Sequence, residues 1–173
     1  EKEAKAFINE EKDVKTVEDA LKGANDIIAE HIADDAEYRT WIRKATWDHG
    51  KITSTAKKPD ESSVFEMYYD FEEPIKKIAG YRILAINRGE KEGILQVKIE
   101  PDMQKIASYL ARKIVTKKNP NTTKALFAAI EDSYKRLIGP AIEREIRSDL
   151  TDKAEDGAIH VFGKNLEQLL MQP

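Results

Sequence analysis

From Val17 onward, apolar residues return at steps of three and four along most of the chain. That spacing marks one face of an α-helix, so the fold has to be built by burying helix faces against one another. In "KTVEDALKGANDIIAEHI" the face comprises Val17, Ala20, Leu21, Ala24, Ile27, Ile28 and Ile32, and Thr16 with Asp19 forms a capping box at its start. "DDAEYRTWIRKATWDHG" repeats the plan. Asp34 or Asp35 caps it, Tyr38, Trp41, Ile42 and Ala45 form the stripe, and Gly50 is expected to close it in the left-handed conformation.

The period changes from helical to two-fold in one clear place. In "ILQVKIE" Leu95, Val97 and Ile99 alternate with Gln96, Lys98 and Glu100, which predicts a half-buried strand. "KITSTAK" is short and β-branched, and is expected to pair with it as a two-stranded ribbon. Such a ribbon is marginal alone and needs helices packed on it. Between helix "YRILAINR" and the strand lies "RGEKEG", with Gly89 as the expected helix end. Two glycines around a charged tetrad could cradle a phosphate, but Glu90 and Glu92 would repel one, so the segment reads as a hinge.

The other segments read as helix. "SVFEMYYDFEEPIKKIAG" gathers Phe65, Tyr68, Tyr69 and Phe71 and restarts at Pro74. Those aromatics could stack bases, but core packing is the simpler reading of helical spacing. "DMQKIASYLARKIVTKK" and "KALFAAIEDSYKRLIG" flank an "NPNTT" loop. After Pro140, Ile142, Ile146, Leu150, Ala154, Ala158, Phe162 and Leu166 recur every fourth residue, a stripe that drifts around a straight helix and calls for wrapping neighbours. Gly157 and Gly163 each weaken that helix by about 1 kcal/mol relative to alanine, so spacing alone allows a break near Gly157.

The expected fold class is mainly α, a multi-helical scaffold with a small two-stranded β-ribbon and a long C-terminal helix. Residues 1–173 read as a single helical fragment: helices over 1–50, helices with short strands over 51–100, and helices over 101–173, including the long one from about 140. The chain opens on Glu1 rather than Met, with a helical pattern already under way, and reads as a piece of a longer protein.

The chemistry is limited by what the 173 residues contain. There is no cysteine, which removes disulfides and thiolate metal sites. His31, His49 and His160 are far apart and show no metal-ligand spacing. No phosphate loop or nucleophile elbow is present, and no set of residues fills the roles an active site needs, so no enzyme, metal or cofactor is expected. With 29 basic and 32 acidic residues the chain lacks the strong positive charge of a dedicated nucleic-acid domain. Most basic clusters alternate with Glu; Arg144 and Arg147 in "EREIR" read as intrahelical pairs. Lys117, Lys118 and Lys124, around "NPNTT", have no acids close by and are the clearest exception. No run approaches the roughly 20 apolar residues needed to span a bilayer.

"YYDFEEPIKKIAGYRILAINRGEKEGILQVKIEP", "AIEDSYKRLIGPAIEREIRSDLTDKAEDGAIHVFGKNLEQLLMQP" and "TVEDALKGANDIIAEHIADDAEYR" together resemble the bacterial Tex family of transcription accessory proteins. The resemblance places the chain in the second half of the family's N-terminal helical region, just upstream of its ribonuclease-H-like domain. It implies a cytoplasmic protein that acts on transcription and binds nucleic acid, mainly through modules outside this chain. Catalytic carboxylates would belong to the nuclease-like domain, so none is carried over. The resemblance also favours an unbroken helix from Pro140 to Leu170. Direct nucleic-acid contact would rest on Arg82, Arg88, Lys117, Lys118 and Lys124. Docking of a transcription or translation partner would require an exposed apolar patch, for example around Trp41 and Trp47.

Overall fold

Thr16 and Asp19 exchange the reciprocal hydrogen bonds of a capping box, both at 3.1 Å, and start helix α1, Val17–Asp34. The computed structural model describes residues 16–116 and 120–171. Asp35 then accepts the backbone N–H groups of Glu37 and Tyr38 and starts α2, Ala36–His49. The chain divides into two compact units, Glu1–Ile42 with Met103–Ala141 and Arg43–Asp102 with Ile142–Pro173.

The first unit is helical. α1 and the first half of α2 are joined by α4, Met103–Ile114, and α5, Pro120–Asp132. α1 packs on α5 and on the π-helical turn Ser133–Ile138 that follows it. Ala29, Ile32, Ala33, Ile106, Leu110, Ile130 and Ile138 are buried. The α1 face is therefore rotated from the sequence expectation: Leu21, Ala24 and Ile27 are exposed. Ser133 is buried but satisfied, its hydroxyl donating to the Ala29 carbonyl at 2.7 Å. Trp41 stacks flat on Tyr109, with centroids 3.8 Å apart.

α5 begins at Pro120, inside the expected loop, and the helix does not restart at Pro140. A proline inside an α-helix removes one hydrogen bond and collides with the carbonyl four residues back. Here the preceding turn widens: Gly139 donates to the Tyr134 carbonyl, five residues back, and the chain passes into α6, Gly139–Leu170.

The second unit is built on an antiparallel sheet ordered β2-β1-β3. β1 is Lys51–Ala56, β2 Asp70–Pro74 and β3 Leu95–Glu100. β1 and β3 pair as expected, and Leu95, Val97 and Ile99 are buried on one face. The expected two-stranded ribbon is a three-stranded sheet, because β2 comes from a segment that reads as helix. Its pairing partner, not its own periodicity, makes it a strand: Ser54 lies opposite Phe71 and Ile52 opposite Glu73. A short 3₁₀ turn, Glu66–Tyr68, precedes β2, and Phe65 and Tyr68 are core residues.

α3, Gly80–Lys91, packs on β3. It runs through Gly89, where a Cβ would lie 2.6 Å from Leu95 Cδ1, so this glycine serves close helix–strand packing. The helix ends at Gly93, whose φ of 77° is the one positive value among the glycines. Gly93 N–H donates to the Glu90 carbonyl and Ile94 N–H to the Gly89 carbonyl, each at 3.0 Å, which is a Schellman closure. "RGEKEG" is thus a helix terminus leading into a strand, and neither Gly50 nor Gly89 is left-handed.

α6 is one unbroken helix of 32 residues that passes through Gly157 and Gly163. Ile142, Ile146, Leu150 and Ala154 are buried. Beyond Ala154 the four-residue stripe has no neighbours among the described residues: Ala158, Phe162 and Leu166 are exposed, Phe162 by 68%.

Candidate nucleic-acid interface

Each basic side chain singled out in the sequence can be placed by the group it contacts. Arg82, on the first turn of α3, pairs with Glu73 of β2 at 2.9 Å, and its Nε donates to the Tyr81 hydroxyl at 3.1 Å. Its guanidinium also lies 5.6 Å from the Phe71 ring centroid and 5.8 Å from that of Tyr81. The Tyr81 hydroxyl first, and then Glu73, hold the Arg82 pKa above its ordinary value. Arg82 therefore ties α3 to the edge strand.

Arg88 is paired with Glu92 at 2.8 Å, four residues on, and its side chain is 76% exposed. Six residues separate Arg82 from Arg88, which sets them about 120° apart around the helix. They do not form one face. Lys124 is exposed on α5, where it makes no ion pair among the described residues. Lys117 and Lys118 lie outside the described residues.

Other polar groups, which sequence spacing did not single out, hold the second unit together. Arg147 does not pair along its own helix. It reaches α3, 2.9 Å from Asn87 Oδ1 and 2.5 Å from Glu90 Oε2. Asn87 donates to Thr151 at 2.8 Å, which closes the network between α3 and α6. Arg43 pairs with Asp149 and, at 3.3 Å, with Glu145, so α2 is joined to α6 as well. Glu143 accepts the Ile99 N–H at 3.1 Å and satisfies a donor on the free edge of β3. Sequence spacing does not mark these pairs, because each partner lies on an element far away in the chain.

The two tryptophans do not form an apolar patch. Both are half-buried, Trp41 against Tyr109 and Trp47 beneath the Lys153 ammonium at 5.2 Å. The exposed large apolar residues concentrate instead on α6, from Ile159 to Leu170. Among the described residues no three His, Asp or Glu side chains are gathered as a metal would require, and no helix is long and apolar enough to cross a membrane.

Comparison with known proteins gives a consistent family. The profile of a family described as Tex central region-like matches residues 1–162. A Bacillus subtilis protein named YdcI is 51% identical over 173 residues, covering 98% of this chain and 24% of the relative. The human S1 RNA-binding domain-containing protein 1 is 34% identical, covering 92% of this chain and 18% of its own length. The transcriptional accessory protein Tex of Neisseria gonorrhoeae is 30% identical, covering 97% of this chain and 23% of the relative. The chain spans a quarter or less of the length of these relatives.

Proposed function

As this chain belongs to the Tex family, as a match to its central region, we propose that it is a structural scaffold segment of a nucleic-acid-binding transcription accessory protein. Binding would be carried mainly by modules outside the chain, and one relative's name, with its S1 RNA-binding domain, supports nucleic acid as the partner. The chain itself would carry no catalysis, and the proposed location is the cytoplasm.

The observation that supports this reading is the use made of the basic side chains. Arg43, Arg82 and Arg147 each join two separate elements of the second unit. A guanidinium committed to a carboxylate is a poor phosphate ligand, because the new contact must displace the old one. The role would be positional: packed helices fix the distance between the modules at their ends.

The competing reading is direct contact, and Lys124 supports it by being exposed and without an ion pair among the described residues. Fluorescence anisotropy separates the two. Labelled single- and double-stranded DNA and RNA are titrated with this chain and with a full-length family member, at low and moderate salt. The scaffold reading expects the full-length protein alone to bind at micromolar concentration. Binding by the chain, with a salt dependence that flattens when Lys117, Lys118 and Lys124 are changed to Glu, would replace it with the contact reading.

A further inference from the structure

β2 is an outer strand of its sheet, and the pairing register decides which of its backbone groups are used. Gly50 accepts the Ile75 N–H at 3.1 Å, and Tyr69 accepts the Ala56 N–H at 3.1 Å. Hydrogen-bonded pairs alternate along an antiparallel ladder, so between those two points Phe71 and Glu73 are the residues that bond to β1. The N–H and C=O groups of Asp70 and Glu72 then point away from β1, and they have no hydrogen-bond partner among the described residues. Pro74 falls on the same outward register, where its missing N–H costs no ladder bond. The other edge of the sheet differs, because Glu143 of α6 takes the Ile99 N–H on β3.

The side chains along the free edge set what kind of strand fits it. Asp70 and Glu72 are both exposed and share the open face of the sheet. Glu72 shares the Lys51 ammonium with Glu100, at 2.6 and 3.4 Å, and Asp70 has no ion pair among the described residues. Lys98 is on the same face but belongs to β3, about 10 Å from β2. An added strand would therefore meet carboxylates first. On the opposite face Arg82 is held by Glu73 and lies against Phe71 and Tyr81, the latter 66% exposed. A second copy of β2 is a poor fit, because antiparallel pairing of two such edges sets Asp70 and Glu72 against the same carboxylates.

We propose that the β2 edge docks an extended segment of another protein as an added antiparallel strand, with lysine or arginine alternating with apolar residues. The basic side chains face Asp70 and Glu72, and the apolar ones lie on the side of Phe71 and Tyr81. In strand addition the main-chain bonds supply affinity and the alternate side chains supply selectivity. The proposal goes beyond the scaffold reading and holds whether or not the chain contacts nucleic acid.

The test follows backbone amides of the isotopically labelled chain by NMR as a capped hexapeptide of alternating lysine and valine is added. A glutamate–valine hexapeptide is the control. The Asp70 and Glu72 amides are expected to shift, saturate and gain protection from exchange, while Phe71 and Glu73, already bonded to β1, gain little. The control should bind at least tenfold more weakly, and Asp70→Lys should narrow that gap. Glu72→Pro deletes an outward donor without touching the β1 ladder, and should weaken docking at least tenfold. Unchanged β3 amides report that each variant is folded. Shifts of Asp70 and Glu72 that follow protein concentration without peptide would assign the edge to a second copy and overturn the proposal. So would a response that does not saturate, equal binding of the two peptides, or docking that survives Glu72→Pro.

Discussion

Arg147 of α6 lies 2.5 Å from Glu90 of α3, and the same guanidinium nitrogen is 2.9 Å from Asn87. The pair links two helices that also approach closely at Gly80, where a Cβ would sit 3.2 Å from Ala154 Cα. Arg147 is 19% exposed and Glu90 40%, so solvent screens part of the attraction. Arg147→Ala is expected to destabilise the chain by about 1–2 kcal/mol, measured by urea denaturation. Arg147→Lys should recover less than half of the loss, because the shorter lysine does not carry its nitrogen out to the position of the guanidinium nitrogen that contacts both Asn87 and Glu90.

The glycines separate packing from propensity. Gly89→Ala drives a methyl into Leu95, and overpacking of that kind costs about 1–3 kcal/mol. At Gly157 an added Cβ meets nothing within 4 Å, and alanine is the better helix former by about 1 kcal/mol. Gly157→Ala should therefore raise helicity by circular dichroism and slow amide exchange in residues 158–168. Gly89→Ala should lower the urea midpoint instead.

Asp48, at the end of α2, is 2.7 Å from Lys76, and this hydrogen bond holds its carboxyl below the usual carboxylate range. A carboxyl whose folded pKa is depressed contributes stability that is full above its unfolded value, near 3.9, and is lost as pH falls through the lower folded value. Carboxyl carbon titration by NMR should give Asp48 a pKa below that of an unfolded aspartate. Lys76→Gln should move it upward, and should also flatten the acid limb of the stability curve.

The elements legible in the sequence are those whose signal is local. Thr16 and Asp35 announce helix starts through side chains that reach only two or three residues ahead. Leu95, Val97 and Ile99 announce a strand by alternation, and all three are buried. β2 had no such signal. In "DFEEP" Phe71 is the only large apolar residue, and the segment is extended because β1 offers it a ladder. Pro140 reads as a helix start because a proline ordinarily is one; the π-helical turn that lets the helix run through it leaves no trace in spacing. Arg147 shows the same limit for the candidate interface. Its neighbours in sequence are carboxylates, but its partners lie 57 and 60 residues away.

The continuity of α6 carries the scaffold account, since a jointed arm could not fix distances. The chain has no cysteine, so Asp152→Cys and Glu167→Cys together give a clean pair of spin-label sites on either side of Gly157 and Gly163. Both positions are exposed. Fifteen residues of α-helix set the Cα atoms about 22 Å apart. Pulsed electron–electron double resonance should then give one narrow distance distribution consistent with that separation once label geometry is included. A broad distribution, or one centred well short of the helical value, would show a joint at the glycines and contradict a rigid scaffold.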